Sequence, residues 1–195
     1  MTDARDPTWK VIVERRPLLA CCALWVRAAE RIETRADPLV PGPLNIDVMP
    51  NAAFTGDRDV LAEEWVRWWH SIVGPPRDSV AGAGEPAHGT IDPLGLAGRT
   101  TLASVVADRG AEAVGWHRAG PSEQHTPTDE SRLVRAAERK LGRPAGVFDL
   151  HLTLLPVRDT EIREAAAGRQ YLVPEGVFGS PEFRAWLAQT IEKIM

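Results

Sequence analysis

The sequence predicts an α+β domain in which a small, mostly antiparallel sheet is covered on one face by about four helices. Three observations carry this expectation. Phe148, Leu150, Leu152 and Leu154 alternate with Asp149, His151 and Thr153, which makes 147–155 a strand with one wholly apolar face that requires a cover. Leu61, Trp65, Trp68 and Ile72 recur at helical spacing within 57–73. Further helical stripes at 18–34, 129–141 and 181–194 complete the cover. Strands and helices do not alternate regularly enough for a doubly wound parallel sheet, so α/β is the alternative class.

The elements follow in order along the chain. Trp9, Val11 and Val13 alternate with Lys10, Ile12 and Glu14, a period of two that predicts a strand over 9–14. From Leu18 the period lengthens: Leu18, Cys22, Ala29 and Ile32 share a face opposite Arg27, Glu30 and Arg31, so a helix is expected over 18–34. A strand over 17–26 competes with it, because periodicity alone does not settle a short apolar run. Pro38, Pro41, Pro43 and Pro50 exclude regular helix from 37–56, where Leu44, Ile46 and Val48 could form one edge strand. Asp57 or Asp59 caps the 57–73 helix and Gly74-Pro75-Pro76 ends it.

Residues 74–100 are rich in glycine and proline and read as a long loop or a lobe boundary within a single domain spanning 1–195. A short helix is expected from Thr100 or Thr101 to Ala113, ending before Gly115, followed by a loop that carries His117 and His125. Leu133, Val134, Ala137 and Leu141 form the stripe of the 129–141 helix, which Gly142 and Pro144 terminate. Tyr171-Leu172-Val173 suits a short strand. Ser180-Pro181 is a cap and first-turn pair for a last helix that buries Phe183, Leu187, Ile191 and Ile194.

Composition excludes several functions. The net charge is −4 and the two signs are interspersed, without the basic stripe that a nucleic-acid backbone binder carries. The longest apolar run, Pro17 to Val26, is about half of the roughly 20 residues a membrane span needs. Cys21 and Cys22, the only cysteines, are adjacent in that run and suit reduced core thiols, so a cytoplasmic location is expected. No cofactor motif is present, and Asp149 with His151 supplies two metal ligands where zinc needs at least three, so no metal is expected.

Two readings of function result. In the leading one the chain is a small interaction or accessory protein that binds a protein partner or itself. Its contacts would come from Trp65, Trp68 and Trp69, which cover more than one face of their helix, and from the Tyr171–Phe178 segment, with Tyr171 as an anchor. The other reading begins at His151-Leu152-Thr153-Leu154 and His88-Gly89-Thr90-Ile91. These resemble the paired H-x-[ST]-hydrophobic motifs of the two-histidine phosphoesterases, although Gly89 stands where that family has an apolar residue. The resemblance implies a hydrolase in which His151 and His88 exchange protons with the attacking and leaving oxygens while Thr153 and Thr90 hold the phosphate. Whether the chain is an enzyme is left open by the sequence.

Overall fold

A computed structural model describes residues 9–46, 54–74, 95–120 and 130–195. Four strands, β1 (Trp9–Arg15), β2 (Phe148–Leu155), β3 (Arg163–Ala166) and β4 (Gln170–Pro174), form one sheet in the order β1-β2-β4-β3. The helices are α1 (Leu18–Ala29), α2 (Arg58–Val73), α3 (Thr100–Ala119), α4 (Glu130–Leu141) and α5 (Pro181–Ile194). The α+β class is as expected, but the sheet is mixed instead of mostly antiparallel. β1 runs parallel to β2 from Trp9↔Phe148 to Arg15↔Leu154, and β2 runs parallel to β4 from His151↔Gln170 to Leu155↔Pro174. Among the described strands only β3 and β4 pair antiparallel.

Connectivity explains the difference. The chain leaves β1, passes through α1 to α4 and re-enters the sheet in the same direction, as a long crossover allows. β3 and β4 instead form a hairpin, turned at Gly168 with φ +66° and closed by the Arg169 N–H on the Ala166 carbonyl. β4 occupies the slot beside β2, which puts the short β3 at the edge.

The cover is also two-sided, where one side was expected. Phe148, Leu150, Leu152 and Leu154 pack with Tyr171 and Val173 against α4 and α5. Leu155, Val157 and Leu172 belong to a second core with α1, α2 and α3. Adjacent residues of a strand point to opposite faces, so buried Leu154 and Leu155 already require two covers.

Several boundaries have physical causes. α1 stops at Ala29, short of the expected 34, because Arg31 takes φ +52° and the Ile32 and Arg31 N–H groups return to the Arg27 and Ala28 carbonyls. This is a Schellman closure, with Ile32 buried beside it. α3 runs through Gly115 to Ala119, so His117 is helical and not in a loop. Its ring nitrogen bonds the Arg16 carbonyl at 2.7 Å, and Arg16 stacks over Trp116. Asp57 caps α2 by accepting the Asp59 and Val60 N–H groups, and Ser180 caps α5 by accepting that of Phe183. The edge strand expected over Leu44, Ile46 and Val48 is reduced to a single bridge, Leu44↔Val157, and Val48 lies outside the described residues. No helix among the described residues is long and apolar enough to cross a membrane.

Candidate functional site

The side of β1 and β2 that faces away from α4 and α5 is where the sheet meets solvent. On β1 that side carries Lys10, Ile12 and Glu14, whose partners in register are Asp149, His151 and Thr153. α1, α2 and α3 reach only the neighbouring part, over Leu172 and Leu155. The other positions therefore stay open: Lys10, Glu14, Asp149 and His151 are exposed, Ile12 is 40% exposed, and Val147, just ahead of β2, is 81% exposed. Ile12 and Val147 are thus two separate exposed apolar side chains, with the oppositely charged Lys10 and Asp149 paired in register between them, and such a mixture of apolar and charged groups is ordinary for a contact surface.

β1 also ends the sheet among the described strands. Its hydrogen-bonding phase follows from the Arg16 N–H, which donates to the Leu154 carbonyl at 2.9 Å. In a parallel ladder successive residues direct their backbone groups to alternate sides. Lys10, Ile12 and Glu14 therefore bond to β2, and the N–H and C=O groups of Trp9, Val11, Val13 and Arg15 point to the outer edge.

The residues singled out from sequence fall into three groups. His151 and Thr153 share the open side of β2, as the phosphoesterase motif requires of a strand; Thr153 is only 8% exposed. His88 and Thr90 lie outside the described residues, as does His125. Asp149 and His151 share one face but stand opposite Lys10 and Ile12, and no group of three His, Cys, Asp or Glu arranged to hold a metal exists among the described residues.

Trp65, Trp68 and Trp69 form the second group, and all three are 0% exposed. The expectation that they supply surface contacts is corrected by their surroundings. Trp65 donates its indole N–H to the Ala23 carbonyl and stacks on Trp69 at 5.6 Å, and Trp69 donates to the Leu39 carbonyl. α1, α3 and the 36–40 segment close around the wide aromatic arc that looked two-sided from α2 alone. Tyr171 is likewise buried, edge-on to Trp186 at 4.9 Å. Burial, with the nearby Glu164, pushes its phenol up, and at 7% exposure Tyr171 is no surface anchor.

The thiols form the third group. Cys21 lies in the first turn of α1 beside the Arg16 guanidinium, a setting that by itself favours a thiolate. Burial wins: it pushes Cys21 up to about 12 and Cys22 up to about 11, and both side chains are enclosed in the core.

Among the concave features that sequence reasoning missed is a groove of about 310 Å³ between the 33–37 segment and α2. Glu33, Asp37, Glu63, Arg35 and Arg67 line it. Burial would raise the Asp37 carboxyl, but the Leu39 N–H at 2.9 Å and His70 at 3.1 Å outweigh this and hold it below the usual carboxylate range. No periodic signal in the sequence links 33–37 to α2, because the contact is made by an irregular segment. The groove mixes both charges and defines no ligand class.

Compared with family models, curated proteins and solved structures, the chain matches none of them.

Proposed function

We propose that the chain is a small interaction or accessory protein whose contact surface is the open half of its sheet, formed by β1 and the start of β2. The surface differs from the one expected from sequence, because the tryptophans of α2 are spent on the core. The observation that carries the reading is the exposure of Ile12 and Val147 beside Lys10, Glu14, Asp149 and His151, where the helices leave the sheet uncovered. Burying such side chains against a partner contributes roughly 25 cal/mol per Å² of apolar surface removed from water. The charged rim supplies orientation more than affinity.

The test is position-specific photo-crosslinking. A photoreactive amino acid placed at position 12 or 147 is expected to yield an adduct of one defined mass in the cells that make this protein. Placed at Arg184, exposed on α5 and on the other side of the sheet, it is expected to yield none. Equal, diffuse labelling from all three positions would sink the proposal.

A further inference from the structure

We infer that the occupant of the β1 edge is a second copy of this chain, paired antiparallel through β1 about a two-fold axis at Ile12. This inference rests on the reading of β1 as part of a contact surface and names the partner of its outer edge, leaving the face that carries Asp149 and His151 open. It begins from the strand's own order of residues, Trp9-Lys10-Val11-Ile12-Val13-Glu14-Arg15. Turned through 180° about Ile12, the segment meets itself as Ile12 against Ile12, Val11 against Val13, Lys10 against Glu14 and Trp9 against Arg15. Every pair is compatible: apolar with apolar, cation with anion, and indole with guanidinium. Moving the axis to Val11 or Val13 sets Lys10 or Glu14 against Ile12 and loses the ion pairs.

The backbone phase agrees independently. Val11 and Val13 direct their N–H and C=O groups to the open edge, so in this register they form a hydrogen-bonded pair, as do Trp9 and Arg15. Ile12 and Lys10 bond to β2 and therefore fall at the non-hydrogen-bonded positions, where opposing side chains approach most closely. The 40% exposed Ile12 thus meets its own copy at the tightest point of the pairing, with a Lys10–Glu14 pair on each side of it. A two-fold axis perpendicular to the sheet keeps equivalent faces together, so the two sheets join into one and β1 ceases to be an edge strand.

A seven-residue ribbon covers less than the roughly 800 Å² per partner of a standard interface, so the dimer is expected to form at micromolar and not nanomolar concentrations. Charge exchange tests it. Sedimentation equilibrium of the wild-type chain should show a reversible monomer–dimer equilibrium. Lys10→Glu and Glu14→Lys, taken singly, each place like charges opposite one another twice, and each should weaken self-association at least about tenfold. An equimolar mixture of the two single variants restores both opposite-charge pairs and should recover the dimer mass, as should the double variant.

A wild-type chain that stays monomeric to the highest attainable concentration overturns the inference. So do single variants that dimerise like the wild type, or a mixture of folded single variants that stays monomeric. If either charge variant loses its helical circular dichroism, Ile12→Arg, which sets two cations together on the axis, takes its place: a surviving dimer overturns the pairing and a folded monomer supports it. A monomeric wild type that still gives one defined adduct with another polypeptide from positions 12 and 147 overturns the pairing alone. If those adducts also fail, the contact-surface reading falls with it.

Discussion

Trp65→Ala is expected to lose about 4 kcal/mol of stability, the largest effect of any single substitution considered. The indole is 0% exposed and stacks on Trp69 with an interplanar angle of 7°. It spans the joint between α2 and α1 through its hydrogen bond to the Ala23 carbonyl at 2.9 Å, and Arg27 lies over its ring. Alanine removes the transfer free energy of the ring, leaves a cavity between two helices and deprives Trp69 of its stacking partner. Against a total stability of roughly 5–15 kcal/mol, such a loss takes the chain close to its unfolding threshold at 37 °C. Urea denaturation followed by circular dichroism measures it; a loss below about 1 kcal/mol would mean that the indole is not in the core.

Arg109→Met is expected to cost about 3 kcal/mol for a different reason. Glu30, at the C-terminal end of α1, keeps only 6% of its side chain exposed, and the Arg109 Nε lies 3.4 Å from its carboxylate. Arg109 also lies over the Trp25 ring at 5.3 Å, and its second contact is to Glu112 on its own helix. Methionine fills much of the same space but leaves the Glu30 charge buried without its cation. Most of the expected cost is that stranded charge and not the worth of the ion pair. A double-mutant cycle separates the two: adding Glu30→Gln to Arg109→Met should recover part of the loss. Strict additivity of the two losses would show that the residues do not act on one another.

Much of this fold was legible in the sequence where a single element carries its own signal. The period of two in 9–14 and 148–154, the aromatic stripe of α2, and the Ser180-Pro181 start of α5 all appear where patterning placed them. Strand direction was not legible, because alternation is identical in parallel and antiparallel strands. β3 was missed for lack of any β-branched or aromatic residue in Arg-Glu-Ala-Ala. α3 passes through Gly115 where a break was expected, since packing on α1 and the His117 bond to Arg16 outweigh the low helix propensity of glycine.

The candidate site shows the same division. In the sequence Ile12 is one of the alternating residues of a strand, and nothing there marks it as exposed. Its exposure depends on how far α1, α2 and α3 extend across the sheet, a property of the assembled layers. The tryptophans misled in the opposite direction: three indoles over a wide helical arc suggest a surface only until the segments that enclose them are placed. Buried Leu155 and Leu172, single residues on otherwise polar or mixed strand faces, carried too little signal to predict the second helical layer.

The measurement that tests the central claim most directly is amide hydrogen exchange along β1 as a function of protein concentration. The Ile12 and Glu14 amides bond to β2 and should be protected at every concentration, whereas those of Val11 and Val13 face the open edge. The account predicts that Val11 and Val13 exchange rapidly in dilute solution and become protected in step with the dimer as concentration rises. If both keep the same rapid exchange from micromolar to millimolar protein, β1 is not the contact edge and the self-pairing through it is contradicted.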